Sequence, residues 1–245
     1  NGKTSVTYML KKVLEAAGEK VGLIGTIQNM IGDEIIETER TTPDCYQLNL
    51  LFKEMVDKGC TFAVMEVSSH ALDQKRVYGV EFDAAIFTNL TQDHLDYHIT
   101  MDNYLEAKKK LFKMCKTAII NKDDAYSDKM LNDLSCNKVT VSANDKSATY
   151  FADNINYRAD GVDFKLCGKE SMSLSMSTGC KFTVYNAMSA AVCATELGFD
   201  KETVLKALCE QEGVKGRAEV VKNPFDFTVI IDYAHTPDGL SNILT

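Results

Sequence analysis

No stripe of lysine and arginine interleaved with aromatic residues runs through this sequence. The longest basic run is Lys108–Lys110, and the formal net charge is −8. That pattern argues against nucleic acid as a partner, because phosphate recognition leaves a basic footprint. Also missing is any apolar stretch near the roughly 20 residues that cross a bilayer, and no secretory signal opens the chain. The expectation is a cytoplasmic protein that does not insert into a membrane. The 8 cysteines (Cys45, Cys60, Cys115, Cys136, Cys167, Cys180, Cys193, Cys209) form no C-x-x-C pair. Scattered through apolar and helical contexts, they are expected to be reduced, buried small hydrophobes. Internal repeats and low-complexity segments are absent as well. What remains is a chain of 245 residues, 45% hydrophobic and 25% charged, enough for one full domain and part of a second.

Two stretches organise the rest: TFAVMEVSSH (61–70) and FTNLTQDHLDYH (87–98). Each opens on a short apolar run, Phe62–Met65 in one and Ala84–Phe87 in the other. Such runs, bounded by turn formers, predict strands buried on both faces. Each then breaks into polar and ionisable residues: Glu66, Ser68, Ser69 and His70 after the first, Asn89, Asp93, His94, Asp96 and His98 after the second. Ligands of open α/β sheets bind outside the carboxyl ends of the strands, so these two edges predict one site. Carboxylate oxygens with imidazole suit Mg²⁺ or Mn²⁺, and such ions usually accompany phosphates.

The amino terminus supplies the phosphate side. Asn1-Gly2-Lys3-Thr4 matches the last part of a phosphate-binding loop, G-x-x-x-x-G-K-S/T. In that loop, backbone N–H groups at a helix start cradle phosphate, the lysine neutralises the β/γ-phosphates and the hydroxyl reaches Mg²⁺. A helical pattern (Val6, Met9, Leu10, Val13, Leu14) follows, stopped by Gly18. Further on, the periodicity predicts a strand at 21–25 and a hairpin around Gly32-Asp33. A helix capped by Thr41-Thr42-Pro43-Asp44 follows, then a strand at 61–67, a short helix carrying Gln74 and Arg76, and a strand at 83–89. Next come a helix at 101–115, a strand at 118–121, a helix at 123–134 and a strand at 139–142. Strands alternating with helices imply a mostly parallel sheet flanked by helices. Between 148 and 184 short alternating runs (150–155, 162–166, 172–176) predict a small antiparallel subsheet. Helices return at 184–197 and 201–211. Gly213–Gly216 then reads as a boundary loop before strands at 219–222 and 228–232.

NGKT, TTPD, EVSSHAL with QKR, FTNLTQDHLDYH, YLEAK, YNAMSAA, GRAEVV and DYAHTPD stand in the order and spacing of the Mur ligases. The sequence resembles most closely the MurE type, which adds the third residue of the peptidoglycan stem peptide. The likeness spans essentially the whole chain. EVSSHAL and DYAHTPD are its specific signals, whereas GKT is shared with countless NTPases. The resemblance implies a P-loop-type central ATPase domain at 1–214 and the beginning of a Rossmann-like C-terminal domain at 215–245. The uridine-binding domain, the first half of the phosphate loop and the strand that feeds it would lie outside the sequence, so a fragment is expected. The implied reaction is ATP-dependent amide formation. A carboxylate of UDP-muramoyl-dipeptide attacks the γ-phosphate. The amine of a free amino acid, meso-diaminopimelate on base rate with L-lysine as the rival, then displaces phosphate from the acyl phosphate. A monomer is implied.

By motif position the resemblance puts Asn1, Gly2, Lys3 and Thr4 on the ATP phosphates, with Lys3, His94 and Lys108 catalytic. Thr4 and Glu66 would hold the first Mg²⁺ and His94 the second. Lys108, in YLEAK, would be a carbamate that also ligates metal. Carbamylation makes chemical sense, since attack on CO₂ needs a neutral amine and burial lowers a lysine's pKa. Its neighbours Lys109 and Lys110 are expected to face solvent. Thr41, Thr42, Ser68, Gln74 and Arg76 would bind the UDP-muramoyl substrate, while Arg40 stands where relatives often carry Asn. Asn186 would lie near the adenine. Arg217 and Asp232 would reach ATP across the domain junction, with His235 close by. His70 and His98 read as structural loop histidines, Asp93 and Asp96 as caps or as groups that support the ligands from behind, and Met172, Met176 and Met188 as core. Two other readings stand beside this one. A folylpolyglutamate synthase-like ligase shares the ATPase core but not EVSSHAL or DYAHTPD. A non-catalytic nucleotide-binding module would have no use for the lysine and the metal-type residues.

Overall fold

A computed structural model describes residues 1–158, 160–221, 227 and 229–244. Helix α1 (Lys3–Ala16) buries Val6, Met9, Leu10, Val13 and Leu14, one face at helical spacing. Strand β1 (Val21–Ile24) is buried along its whole length, and β2 (Asn29–Ile31) and β3 (Glu34–Ile36) form the expected hairpin. Helix α2 (Cys45–Asp57) is capped by Asp44, whose carboxylate accepts from the Gln47 N–H at 3.0 Å. Strand β4 (Phe62–Met65) then pairs parallel with β1, giving a sheet of order β3-β2-β1-β4.

After α3 (Ser69–Asp73) the chain builds a second sheet. Its elements are β5 (Phe82–Phe87), α4 (Leu95–His98), α5 (Met101–Phe112), β6 (Cys115–Asn121), α6 (Ser127–Leu131), β7 (Asn137–Ser142), β8 (Tyr150–Arg158), β9 (Gly161–Cys167) and β10 (Met172–Met176). Strands β5 to β8 run parallel in sequence order, and β9 and β10 extend the same sheet antiparallel. The antiparallel part is thus continuous with the parallel part through β8. Helix α7 (Lys181–Glu196) packs against α1 and the second sheet, and its Ala187, Ala190, Ala191 and Ala194 are all fully buried. Small side chains there let the helix approach its neighbours closely. Helix α8 (Lys201–Cys209) packs on α1 and β10. The antiparallel pair β11 (Glu219–Val221) and β12 (Val229–Ile231) and helix α9 (Pro237–Leu244) follow. The expected strand ends Lys222 and Thr228 lie outside the described residues.

Several expectations need correction. The helix read over 101–115 stops at Phe112, and Cys115 opens β6. The helix read over 123–134 shrinks to Ser127–Leu131. Asn121 Oδ1 and Asp124 Oδ1 accept the N–H groups of Asp123 (3.1 Å) and Tyr126 (2.9 Å), so side chains hold this backbone in turns. Gln74 and Arg76 lie just past α3. Of the cysteines, Cys193 alone is buried, Cys45 and Cys209 are exposed, and all eight are free thiols. Lys110 does face solvent and pairs with Asp73 at 2.7 Å, but Lys109 is buried at 7% exposure. Lys109 shares a helix face with Leu105 and Phe112, so its stem lies along the core there.

Strands β4 and β5 are not buried on both faces either: Ala63 and Asp83 are exposed. Each ends its sheet, β4 the first and β5 the second, and a cavity of about 390 Å³ lies between them. Phe62, Val64, Phe82, Ala84, Leu10 and Leu14 line it, with Lys3, Glu66 and Thr88 at the carboxyl ends of the strands.

Candidate active site

The start of α1 sits where both sheets end. Gly2 has φ +82°, and a Cβ on it would come within 2.6 Å of Asn186 Oδ1, so both backbone and space demand glycine. The Asn1 carbonyl accepts from Thr88 Oγ1 (2.8 Å) and Asn89 Nδ2 (3.2 Å), which ties this end to the loop after β5. The Thr4 hydroxyl donates to Glu66 Oε2 at 3.1 Å. The two residues that the sequence reading assigned to one metal therefore touch.

Glu66 is 2% exposed and is held from several sides. Its Oε1 accepts the Thr26 N–H at 2.9 Å, and its Oε2 accepts the Thr26 hydroxyl at 3.0 Å. Thr26 and Thr41 share a hydroxyl contact of 3.0 Å. A Cβ at Gly25 would fall 2.6 Å from Glu66 Oε1, so the carboxylate lies directly on the backbone after β1. The sequence reading missed Thr26. Its signal is Gly25-Thr26 placed immediately after the first strand, at the same edge as Glu66.

The residues assigned to the UDP-muramoyl substrate also gather. Thr42 is 1% exposed; its hydroxyl donates to the Glu66 carbonyl (2.9 Å) and accepts the Ser68 N–H (3.1 Å). Arg76 Nη1 donates to the Thr42 carbonyl at 2.9 Å, and Arg76 Nε donates to Gln74 Oε1 at 2.9 Å. Ser68 caps α3 by accepting the Ala71 N–H at 3.2 Å. Arg40 is exposed; its carbonyl accepts from the Thr38 hydroxyl at 2.8 Å.

His94 opens α4 with φ +53° beside Asp93, whose Oδ2 lies 3.4 Å from its Nε2. Burial lowers the His94 pKa first. Asp93 opposes the shift, while His70, Lys3 and Lys108 add to it. The imidazole is thereby kept in the neutral form that binds metals. Lys108 lies in the same group, its Nζ 5.0 Å from the centroid of the Tyr104 ring. Burial, then the charge of Lys3, pushes its ammonium down to about 7, against Asp93 and Asp124.

A cavity of about 290 Å³ opens on the other side of Gly2. Asn89, Asn186, Arg217, Asp232 and His235 line it, so the structure brings together the residues read as reaching ATP from before and after Gly213–Gly216. Asn186 is 4% exposed and so does not face solvent. Asp232 accepts the N–H groups of Ala218 and Ala234, each at 2.7 Å, and the Arg217 guanidinium lies 5.2 Å from the Tyr233 ring centroid. Tyr185, which the sequence reading passed over, lines the same cavity and donates to Asp123 Oδ2 at 2.9 Å.

Among the described residues no three His, Cys, Asp or Glu side chains converge as a preformed metal centre. The donors that do meet are a hydroxyl and a carboxylate, Thr4 and Glu66. Hard oxygen donors of this kind fit Mg²⁺, which keeps waters and takes phosphate oxygens alongside a few protein ligands.

Residues 1–194 match the family described as the Mur ligase middle domain, and the chain belongs to the Mur ligases. It is 47% identical over 248 aligned residues to the UDP-N-acetylmuramoyl-L-alanyl-D-glutamate–2,6-diaminopimelate ligase of Clostridium botulinum, covering 100% of this chain and 51% of that protein. The identically named ligase of Caldanaerobacter subterraneus is 49% identical with the same coverage. A solved structure of a ligase of that name superposes with a TM-score of 0.87 at 32% identity, over 100% of this chain and 51% of its own. A MurF ligase from Thermotoga maritima in complex with ADP shares the fold, with a TM-score of 0.75 at 16% identity over 99% of this chain and 53% of its own. The chain thus spans about half the length of the curated relatives it matches.

Proposed function

We propose that this chain is the catalytic centre of an ATP-dependent ligase that adds meso-diaminopimelate to UDP-N-acetylmuramoyl-L-alanyl-D-glutamate in peptidoglycan precursor synthesis. The observation that carries this reading is the Thr4–Glu66 contact at 3.1 Å, which joins the Gly-Lys-Thr helix start to the EVSSHAL strand end. Residues 1–214 form the ATPase domain in this reading, and 215–245 begin the domain that brings the amino acid. The ligase acts as a cytoplasmic monomer. The diaminopimelate assignment follows the names of relatives at 47% and 49% identity.

The chain's own groups divide the work. Asn1, Gly2 and the first N–H groups of α1 receive phosphate oxygens, and Lys3 neutralises the charge that builds on them as the acyl phosphate forms. Thr4 and Glu66 would hold one Mg²⁺, and His94 with carbamylated Lys108 a second. Bound there, such ions would supply positive charge against the phosphate oxygens. Thr41, Thr42, Ser68, Gln74 and Arg76 hold the muramoyl substrate so that its carboxylate faces the γ-phosphate, and positioning of this kind supplies much of the rate. Asn186 contacts adenine, and Arg217 and Asp232 reach the nucleotide from the second domain.

The test is phosphate release by the full-length protein. It should require both UDP-muramoyl-dipeptide and meso-diaminopimelate, and Lys3→Ala should abolish it. Turnover with L-lysine instead would change the amino acid, and turnover with folate and glutamate alone would overturn the reading. The 245 residues by themselves are expected to show no ligation.

A further inference from the structure

His98 is 5% exposed, and nothing in the proposed chemistry uses it. Its Nε2 lies 2.9 Å from Ser69 Oγ, in the first turn of α3. Its ring is stacked on Tyr104, centroids 4.9 Å apart and planes 12° from parallel. Its carbonyl accepts from Asn103 Nδ2 at 3.0 Å, and its N–H donates to the His94 carbonyl at 2.9 Å. The turn it closes is bracketed by two left-handed non-glycine residues, His94 at φ +53° and Ile99 at φ +68°. Backbone of that kind persists only where its surroundings hold it, and the four contacts of His98 help to hold it.

We infer that His98 is a positioning residue that locks the α3 loop carrying Ser68, Gln74 and Arg76 to the helix that presents Lys108. The two contacts point to two separable tasks. The Ser69 bond fixes the first turn of α3, and with it the cap at Ser68 and the Gln74–Arg76 pair just beyond the helix. The ring stack fixes Tyr104, which lies one helical turn before Lys108 and carries its Nζ 5.0 Å from the ring centroid. Loss of the first should loosen substrate binding, and loss of the second should loosen the lysine. This rests on the ligase reading above, and the readouts are chosen to fail separately from it.

Two substitutions in the full-length protein separate the tasks. His98→Phe keeps an aromatic face for Tyr104 but cannot bond Ser69. His98→Gln keeps an amide within reach of Ser69 but cannot stack. Carbamate on Lys108 is read by ¹³C NMR after labelling with ¹³C-bicarbonate, the signal being assigned by its loss in Lys108→Ala. For His98→Phe the expected result is a KM for UDP-muramoyl-dipeptide raised about tenfold, the worth of one hydrogen bond, with the carbamate signal and kcat held. For His98→Gln the expected result is a KM near that of the wild type, with the carbamate signal and kcat falling together. Parallel losses of KM, kcat and signal in both variants would reduce His98 to a structural filler and overturn the inference, as would no change in either. Should a variant unfold, Ser69→Ala replaces the first arm and Tyr104→Leu the second. Because the Tyr104 hydroxyl also bonds Ser69, Tyr104→Phe, which loses that bond and keeps the stack, is the control. The carbamate signal and kcat are expected to fall in Tyr104→Leu and to hold in Tyr104→Phe. A wild-type protein without ligase activity would instead strike the functional reading. An active wild type without the carbamate signal would overturn the Lys108 half of this inference, and the inference with it.

Discussion

Lys108 sits among Tyr104, Asp93, Asp124 and Lys3, and burial is the first cause that pushes its ammonium down to about 7 from the usual 10.5. The sign has two consequences. The folded protein sheds this proton near pH 7, while the unfolded chain keeps it to near pH 10.5. The unfolded state therefore binds more protons across that window, so this residue opposes folding most below pH 7 and less as pH rises through it. The amine is also neutral, and able to attack CO₂, at a pH where an exposed lysine is almost wholly protonated. Carbamate formation in the full-length protein, followed at fixed dissolved CO₂ between pH 6 and 9, should rise with a midpoint near 7. A midpoint near that of an exposed lysine would contradict the downward push from its surroundings. Because Lys3 is the second cause, Lys3→Ala should move the midpoint upward even though it abolishes turnover. At this scale the sequence was readable where a motif names the residue: the resemblance put Thr4 and Glu66 at one metal, and their side chains touch. Thr26 was only half readable: Gly25-Thr26 after the first strand marks the edge, but the bond to Glu66 joins residues 40 apart in sequence, which local pattern does not pair.

Between elements, a few buried hydroxyls replace what a ladder would otherwise supply. Thr42 lies in the approach to α2, yet its hydroxyl bridges the Glu66 carbonyl and the Ser68 N–H, binding that approach to the segment from β4 to α3. Thr42→Val keeps the shape and removes both bonds, leaving the buried Glu66 carbonyl and the half-buried Ser68 N–H without this partner. The expected cost is about 1–3 kcal/mol in urea or thermal unfolding. Thr42→Ser, which keeps the hydroxyl, should recover most of it. Equal stability of Thr42→Val and the wild type would mean that the bridge contributes nothing. The amphipathic elements α1 and α2 were legible because each buries one stripe and has a clear stop or cap. The helix expected at 123–134 was misjudged because its first residues are polar side chains that compete for backbone N–H groups, an outcome that periodicity does not register. The end of α5 was overrun for a related reason: Lys113–Met114 continues the helical composition, while Cys115 pairs with Phe82.

At the scale of the molecule the outstanding feature is the break between the two sheets. Strands β4 and β5 point their carboxyl ends at the same site and run beside one cavity of about 390 Å³, yet neither pairs with the other. Bare edges inside an otherwise packed sheet leave backbone donors without a ladder, which native proteins avoid. The N–H groups of Phe62 and Glu66 donate to Lys20 and Ile24 on the β1 side, so the alternate N–H groups, of Ala63 and Met65, point to the open edge at the cavity. The wall residues are mainly apolar, and Asn1 lies at the end of the cavity marked by Thr88. A strand parallel to β4 and β5, running toward Asn1, would satisfy both edges and join the sheets into one. Relatives about twice the length of this chain have residues enough to supply it. The prediction is that in the full-length protein the amides of Ala63 and Met65 exchange as slowly as that of Val64, which is paired with β1. If those two amides exchange within seconds while Val64 stays protected, the cavity is an open cleft and no strand fills it. A filled cavity also explains why β4 and β5 read as fully buried from their sequence: Phe62–Met65 and Ala84–Phe87 have the composition of central strands, and in these 245 residues each stands at an edge.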